Sequence, residues 1–219
     1  MLKYWQERRE MKTILIYGDS NVWGDNMLTN KRIPREKRWT TILAQKTKNK
    51  CIILPEGLPG RLAGKGKKVK AFKNGKKTFE LIFKTNSPVD IIIIALGTND
   101  LLTKHHKSSK LIVKDLEWYT KEIEKYYNDN FYKNKYFYKE KPQILYILPP
   151  VFFDTNDKKN REITIKREKI INYFENSDYK IIIPKDISLL KDNIHFDYRG
   201  HEQMAKIVFD KLNSLKILK

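Results

Sequence analysis

At 219 residues the chain is long enough for one α/β domain with a sizeable core and too short for two full domains. Its single cysteine, Cys51, excludes an intramolecular disulfide and a cysteine-built zinc site. A net charge of +19 raises nucleic acid or an anionic membrane as a partner, but lysines are spread along the chain and only residues 65–77 are dense, so no specific nucleic-acid site is expected.

The opening MLKYWQERRE is charged where a secretory signal would be apolar, and no apolar run approaches the ~18 residues that span a bilayer. A soluble, cytoplasmic protein without a membrane span is expected, with a homo-oligomer left open. Residues 1–10 read as an N-terminal extension and 11–219 as one domain, with Met11 so close to the first strand that it is itself a candidate start.

Residues 13–17 are β-branched and aromatic and too short for a stable helix, so they predict a strand that stops at Gly18-Asp19-Ser20. A polar loop with Pro34 follows, and then Trp39, Ile42, Leu43 and Lys46 recur at helical spacing over 38–48. Residues 51–54 predict a second strand, closed by the loop Pro55-Glu56-Gly57-Leu58-Pro59-Gly60-Arg61, where glycine permits both positive φ and close approach of a ligand. The lysine-rich run to Lys73 reads as a solvated loop. Asn74 then caps a helix with Phe79, Ile82 and Phe83 on its apolar face and an exit at Pro88.

Residues 90–96, DIIIIAL, lack polar alternation and predict a central parallel strand covered on both faces, ending at Gly97-Thr98-Asn99-Asp100. A helix fits 109–128, residues 131–141 read as irregular, and their aromatics read either as a lid over the site or as a satellite cluster. Further strands are predicted at 143–148 and 180–183, with helices at 162–175 and around Met204, Ile207, Val208 and Leu212. Strands alternating with helices predict a three-layer α/β/α domain on a parallel five-stranded sheet.

Ser20, Gly60, Asn99 and His195 all fall on loops that follow strands, where open α/β sheets bind ligands. Their chemistry is complementary. A serine becomes a nucleophile when a base takes its proton; His195 is that base if Asp192, three residues earlier, fixes its tautomer. An acyl-transfer oxyanion needs fixed donors, which the backbone N–H groups of Ser20 and Gly60 and the amide of Asn99 can supply.

Four blocks, GDSN at 18–21, EGLPGR at 56–61, GTND at 97–100 and DNIH at 192–195, resemble in order and spacing those of the GDSL/SGNH hydrolase family, with GDSNVWG and GTNDL closest to its arylesterase and acyltransferase-like branch. The resemblance implies a flavodoxin-like α/β/α sandwich. It also implies Ser20 as nucleophile, Asp192 and His195 completing a triad, and an oxyanion hole at Ser20, Gly60 and Asn99. The family name carries leucine where this chain has Asn21, which borders the nucleophile. Asn21, Trp23 and Asp100 are taken as substrate contacts, although Trp23 could simply pack and Asp100 could simply brace its loop. Asp19 and His201 read as structural.

The expected activity is hydrolysis of carboxylic esters, with small acyl or O-acetyl groups, through an acyl-enzyme and without metal or cofactor. Acyl-thioester or lysophospholipid hydrolysis would use the same constellation. A metallophosphoesterase fits poorly, because no histidine stands near Asp19 and the His105-His106 pair lacks carboxylates at ligand spacing. A non-catalytic basic binding module on the same fold is the alternative from another class, and the pocket walls are expected at 25–38, 101–110 and 150–160.

Overall fold

Runs as uniformly apolar as ILIY at 14–17 and IIII at 91–94 need cover on both faces. A computed structural model, which describes residues 11–48, 50–138, 140–150 and 158–218, shows how that cover is provided. The expected extension 1–10 and most of the expected wall 150–160 lie outside the described residues. Among those described, β1 (Lys12–Gly18), β2 (Cys51–Gly57), β3 (Ile91–Ala95), β4 (Gln143–Ile147) and β5 (Lys180–Ile182) form a parallel sheet in the order β2-β1-β3-β4-β5. This is the flavodoxin-like order, and its direction of winding reverses between β1 and β3. Gly18 stands level with Gly57 on one side and Ala95 on the other, so three strands end together at that reversal.

The helices are α1 (Ser20–Trp23), α2 (Trp39–Lys46), α3 (Gly75–Asn86), α4 (Thr98–Leu101), α5 (Ser109–Asn128), α6 (Asn130–Tyr136), α7 (Lys158–Glu175) and α8 (Tyr198–Ser214). Because successive strand residues point to opposite faces, Ile14, Ile16, Ile91 and Ile93 meet Trp39 and Leu43 of α2 and Met204, Val208 and Leu212 of α8. Leu15, Tyr17, Ile92 and Ile94 meet Phe79 and Phe83 of α3, Leu116 and Tyr119 of α5 and Ile170 of α7. Each such side chain contributes about 1.5–3 kcal/mol on full burial, so a charge placed at Ile16 or Ile93 would break the sandwich from within.

Three predicted elements change. The second strand runs past 54 to Gly57 and through Pro55; β2 is an edge strand, where a missing N–H is tolerated. The helix expected at 162–175 begins at Lys158. The stretch expected to be irregular contains α6, because Asp129 accepts hydrogen bonds from Phe131 N and Tyr132 N and so caps a turn whose aromatics have a place to pack. Tyr132 packs on Tyr126, and Phe137 on Phe83 and Tyr127. Tyr138 lines a cleft with Lys12, Asp90 and Gln143, at the strand starts and thus at the opposite end of the sheet from Ser20. These aromatics are a satellite cluster, and the lid reading falls.

Candidate active site

Ser20 opens α1 directly beyond β1, and its turn is built by Asp19, whose carboxylate accepts from Asn21 N at 3.0 Å. Gly24, at φ 84°, closes the same turn in the left-handed region that glycine enters freely. His195 stands on the loop between β5 and α8. Its Nε2 lies 3.0 Å from Ser20 Oγ, and its Nδ1 lies 2.6 Å from Asp192 Oδ2. With Nδ1 donating to the carboxylate, Nε2 is the nitrogen left to accept the serine proton. Asp192 Oδ1 accepts from the N–H groups of Ile194 and His195 at 2.9 and 3.0 Å. Desolvation pushes the Asp192 carboxyl up, but those backbone bonds and the imidazole outweigh it and hold the group below its ordinary value.

Gly60 and Asn99 follow β2 and β3, the strands that flank Gly18. Gly57 passes so close to α1 that a Cβ there would stand 2.3 Å from Trp23 N, which seats the 57–61 loop against the serine turn. Arg61, 4 % exposed, lies beneath: its guanidinium donates to Gly18 O at 2.8 Å and to Glu56 O, and rests 4.1 Å from the Tyr17 ring centre. Asn99 Nδ2 donates to Arg61 O at 3.2 Å, which fixes the amide and leaves its second hydrogen uncommitted. The backbone N–H groups of Ser20 and Gly60 make no hydrogen bond within the described chain. Three unengaged donors therefore come from the elements that surround the serine.

Asn21 and Asp100 are not where substrate contacts would be. Asn21 is 7 % exposed, and its amide donates to Ile194 O at 3.1 Å while accepting from Phe196 N at 3.0 Å, so both ends grip the histidine loop. Asp100 has no exposure at all. It accepts from Ala63 N at 2.8 Å and pairs with buried Lys107, which also reaches Asp115 at 2.6 Å. Trp23 is half-buried at the rim, its ring 4.7 Å from the Arg32 guanidinium. Asp115 Oδ1 in turn takes Lys76 at 2.6 Å. Arg61, Lys107 and Asp115 escaped the sequence reading, because a lone arginine in a glycine loop and a lysine among many carry no signal of burial.

Two further groups underpin the histidine side. Trp39 Nε1 donates to Asn21 O at 3.0 Å, and Trp39 N donates to His201 Nδ1 at 3.2 Å; burial draws the His201 imidazole down to about 4 and keeps it neutral. Asp19, fully buried, is pushed up to about 6 by desolvation. Its Oδ2 has no hydrogen-bond partner among the described residues, and Asp19 borders a cavity of about 20 Å³, room for one water, together with Thr98, Ile147, Pro149 and Met204. Among the described residues no group of three His, Cys, Asp or Glu is placed to hold a metal ion, and no helix is long and apolar enough to cross a membrane.

The sequence model of the GDSL-like lipase/acylhydrolase family matches residues 14–208, which take in all four loops described above. The chain belongs to that family. It is thereby a carboxylic ester hydrolase, on a fold shared with solved esterases. A carbohydrate acetylesterase family member from Sinorhizobium meliloti superposes with a TM-score of 0.77 at 20 % identity, covering 95 % of this chain and 99 % of that one. An aryl esterase from M. smegmatis gives 0.73 at 20 %, covering 93 % and 99 %. A member of the lipolytic G-D-S-L family from Veillonella parvula gives 0.59 at 17 %, covering 91 % and 97 %. No curated protein matches the chain in sequence. At these identities the solved structures carry the fold, and the chemistry has to be argued from the side chains.

Proposed function

We propose that this GDSL-family enzyme hydrolyses esters of small acyl groups through an acyl-enzyme on Ser20. The observation that carries the reading is the continuous line from Asp192 through His195 to Ser20, with spacings of 2.6 and 3.0 Å. Ser20 Oγ attacks the ester carbonyl as His195 Nε2 takes its proton, and Asp192 holds the imidazolium that forms. The carbonyl oxygen becomes an oxyanion facing the N–H groups of Ser20 and Gly60 and the free hydrogen of the Asn99 amide. On collapse, the alcohol leaves with the proton from His195. Water, deprotonated by the same nitrogen, then releases the acid and restores Ser20.

Asn21 and Asp100 act here through other groups: Asn21 hangs the His195 loop on the serine turn, and Asp100 anchors the 61–63 loop beside Asn99. The solved structure named as a carbohydrate acetylesterase family member favours a short acyl chain. Labelling with a fluorophosphonate tests the assignment. Wild-type protein should label at Ser20 and lose ester hydrolysis, while Ser20→Ala, folded by circular dichroism, should neither label nor turn over. Labelling of that variant at another serine, or residual turnover close to wild type, would overturn it.

A further inference from the structure

The lysine-rich segment, which the hydrolytic machinery does not use, comes back to the site. Leu62 N donates to Lys73 O and Gly75 N donates to Leu62 O, both at 2.9 Å, so residues 73–75 are laced to the chain immediately after Gly60 and Arg61. This lacing lays the end of the Lys73 side chain on Gly60. A Cβ at Gly60 would stand 2.9 Å from Lys73 Nζ and 3.4 and 3.5 Å from its Cδ and Cε. Gly60 therefore serves two geometric needs: its φ of 73° and the bare surface that receives an ammonium.

Lys73 is half-buried as a residue, and its ammonium makes no ion pair or side-chain hydrogen bond among the described residues. The carboxylates on this flank are committed elsewhere. Asp115 holds Lys76 and Lys107, Asp100 holds Lys107 and Ala63 N, and Glu56 accepts from Asn86 at 3.2 Å. Lys65, Lys67, Lys68, Lys70 and Lys77 stand exposed on the same segment and add positive potential without relieving Lys73. A partly desolvated cation without a counter-ion beside a proposed oxyanion donor is a place for the negative charge of an incoming molecule.

We infer that Lys73 is a specificity residue that selects esters carrying an anionic group, a carboxylate or phosphate, on the same molecule as the scissile bond. The inference rests on the Ser20 hydrolase reading and adds the substrate class. The anion can lie on the acyl or on the alcohol side, and the two positions are separable. p-Nitrophenyl hemiglutarate against p-nitrophenyl valerate probes the acyl side; 4-acetoxybenzoate against its methyl ester probes the alcohol side.

The readout is the ratio of kcat/KM for the charged over the neutral ester, compared between proteins so that intrinsic reactivity cancels. For one of the pairs, Lys73→Met should lower this ratio about ten-fold, as expected for one charge pair in a half-exposed site. Lys73→Arg should retain most of the ratio, and Lys73→Glu should lower it further. Raising salt from about 0.05 to 0.5 M should reduce the ratio in wild type and much less in Lys73→Met. Lys77→Met, exposed on the same segment, serves as the control for general charge. A ratio unmoved by Lys73→Met in both pairs, or moved equally by Lys77→Met, overturns the inference while leaving the hydrolase intact. Wild-type protein that cleaves none of the four esters overturns the hydrolase reading and this inference with it.

Discussion

Apart from the Asp192 carboxylate, the histidine flank of Ser20 is held by neutral hydrogen bonds, whereas the Gly60–Asn99 flank stands on buried charge. On the first, the Asn21 amide, the Trp39 indole and the neutral His201 imidazole hold one loop in place. On the second, Arg61 and the chain Asp100–Lys107–Asp115–Lys76 hold two. Neutral groups lose less when one partner goes, about 1–3 kcal/mol, and the loss stays local. Buried ions depend on one another, since each is tolerable only while its counter-charge is present. The flank that positions a proton donor and acceptor is thus the more forgiving, and the flank that receives developing negative charge is the more brittle.

The sharpest way to break this contrast is Lys107→Met, which strands Asp100 and leaves Asp115 with Lys76 alone. It should cost about 3–5 kcal/mol of stability, read as a lower urea midpoint at unchanged slope; a loss below about 1 kcal/mol, the scale of an exposed pair, would mean the network is not tightly buried in solution. Next comes Asn99→Ala, which removes a donor without touching the ions. We expect kcat to fall ~10²–10³-fold, about 2.7–4 kcal/mol, with KM within a few-fold; steady-state kinetics showing kcat near wild type would remove Asn99 from the oxyanion hole.

On the neutral flank, Asn21→Leu installs the residue of the family name and leaves Ile194 O and Phe196 N without a partner. The cost should be about 1–3 kcal/mol, with slower fluorophosphonate labelling and an unchanged KM; unchanged labelling would mean that His195 needs no staple. The smallest effect is expected from Asp19→Asn. Above pH 6 Asp19 is ionised in the folded and the unfolded chain, and its desolvation weighs fully against the fold. As pH falls from about 6 toward 3.8 the folded chain takes up the proton first, and stability from this group rises. The Asp19→Asn variant would lack that slope and gain about 1–2 kcal/mol of stability at pH 8, less than the ~3 kcal/mol of the full shift because the new amide needs a partner in the cavity. Thermal melts from pH 4 to 8 decide it: a variant less stable than wild type at pH 8 refutes the burial argument.

The two flanks also differ in how much of them a reader of the sequence can see. Strands such as 91–95 were legible because burial on both faces erases polar alternation, and the loops at 18–24, 57–61, 97–100 and 192–195 were legible because small and polar residues interrupt those runs. What the sequence withheld were partnerships across long separations. Asn21 reads as a neighbour of Ser20, and only folding brings residues 194–196, more than 170 positions away, onto its amide. Asp100 reads equally as a substrate contact or a brace for its loop until Lys107 is found buried against it. The helix α6 was hidden because aromatic residues are poor helix formers by themselves, and the capping of Asp129 and the packing of Tyr132 supply what propensity lacks.

The order in which the pieces leave the ribosome follows from the sequence separation of 175 positions from Ser20 to His195. β1, β2 and β3 can pair while the later third of the chain is still being made, since domains gather their N-terminal parts first. At that stage the serine turn, Gly60 and Asn99 exist, and Ser20 has no base. Only when α8 settles on α2 do residues 194–196 reach the Asn21 amide, and a folding intermediate that exposes its serine is therefore chemically inert. Ester turnover followed during refolding would act as a clock for that last docking event, reporting closure of the whole sheet more selectively than helix content does.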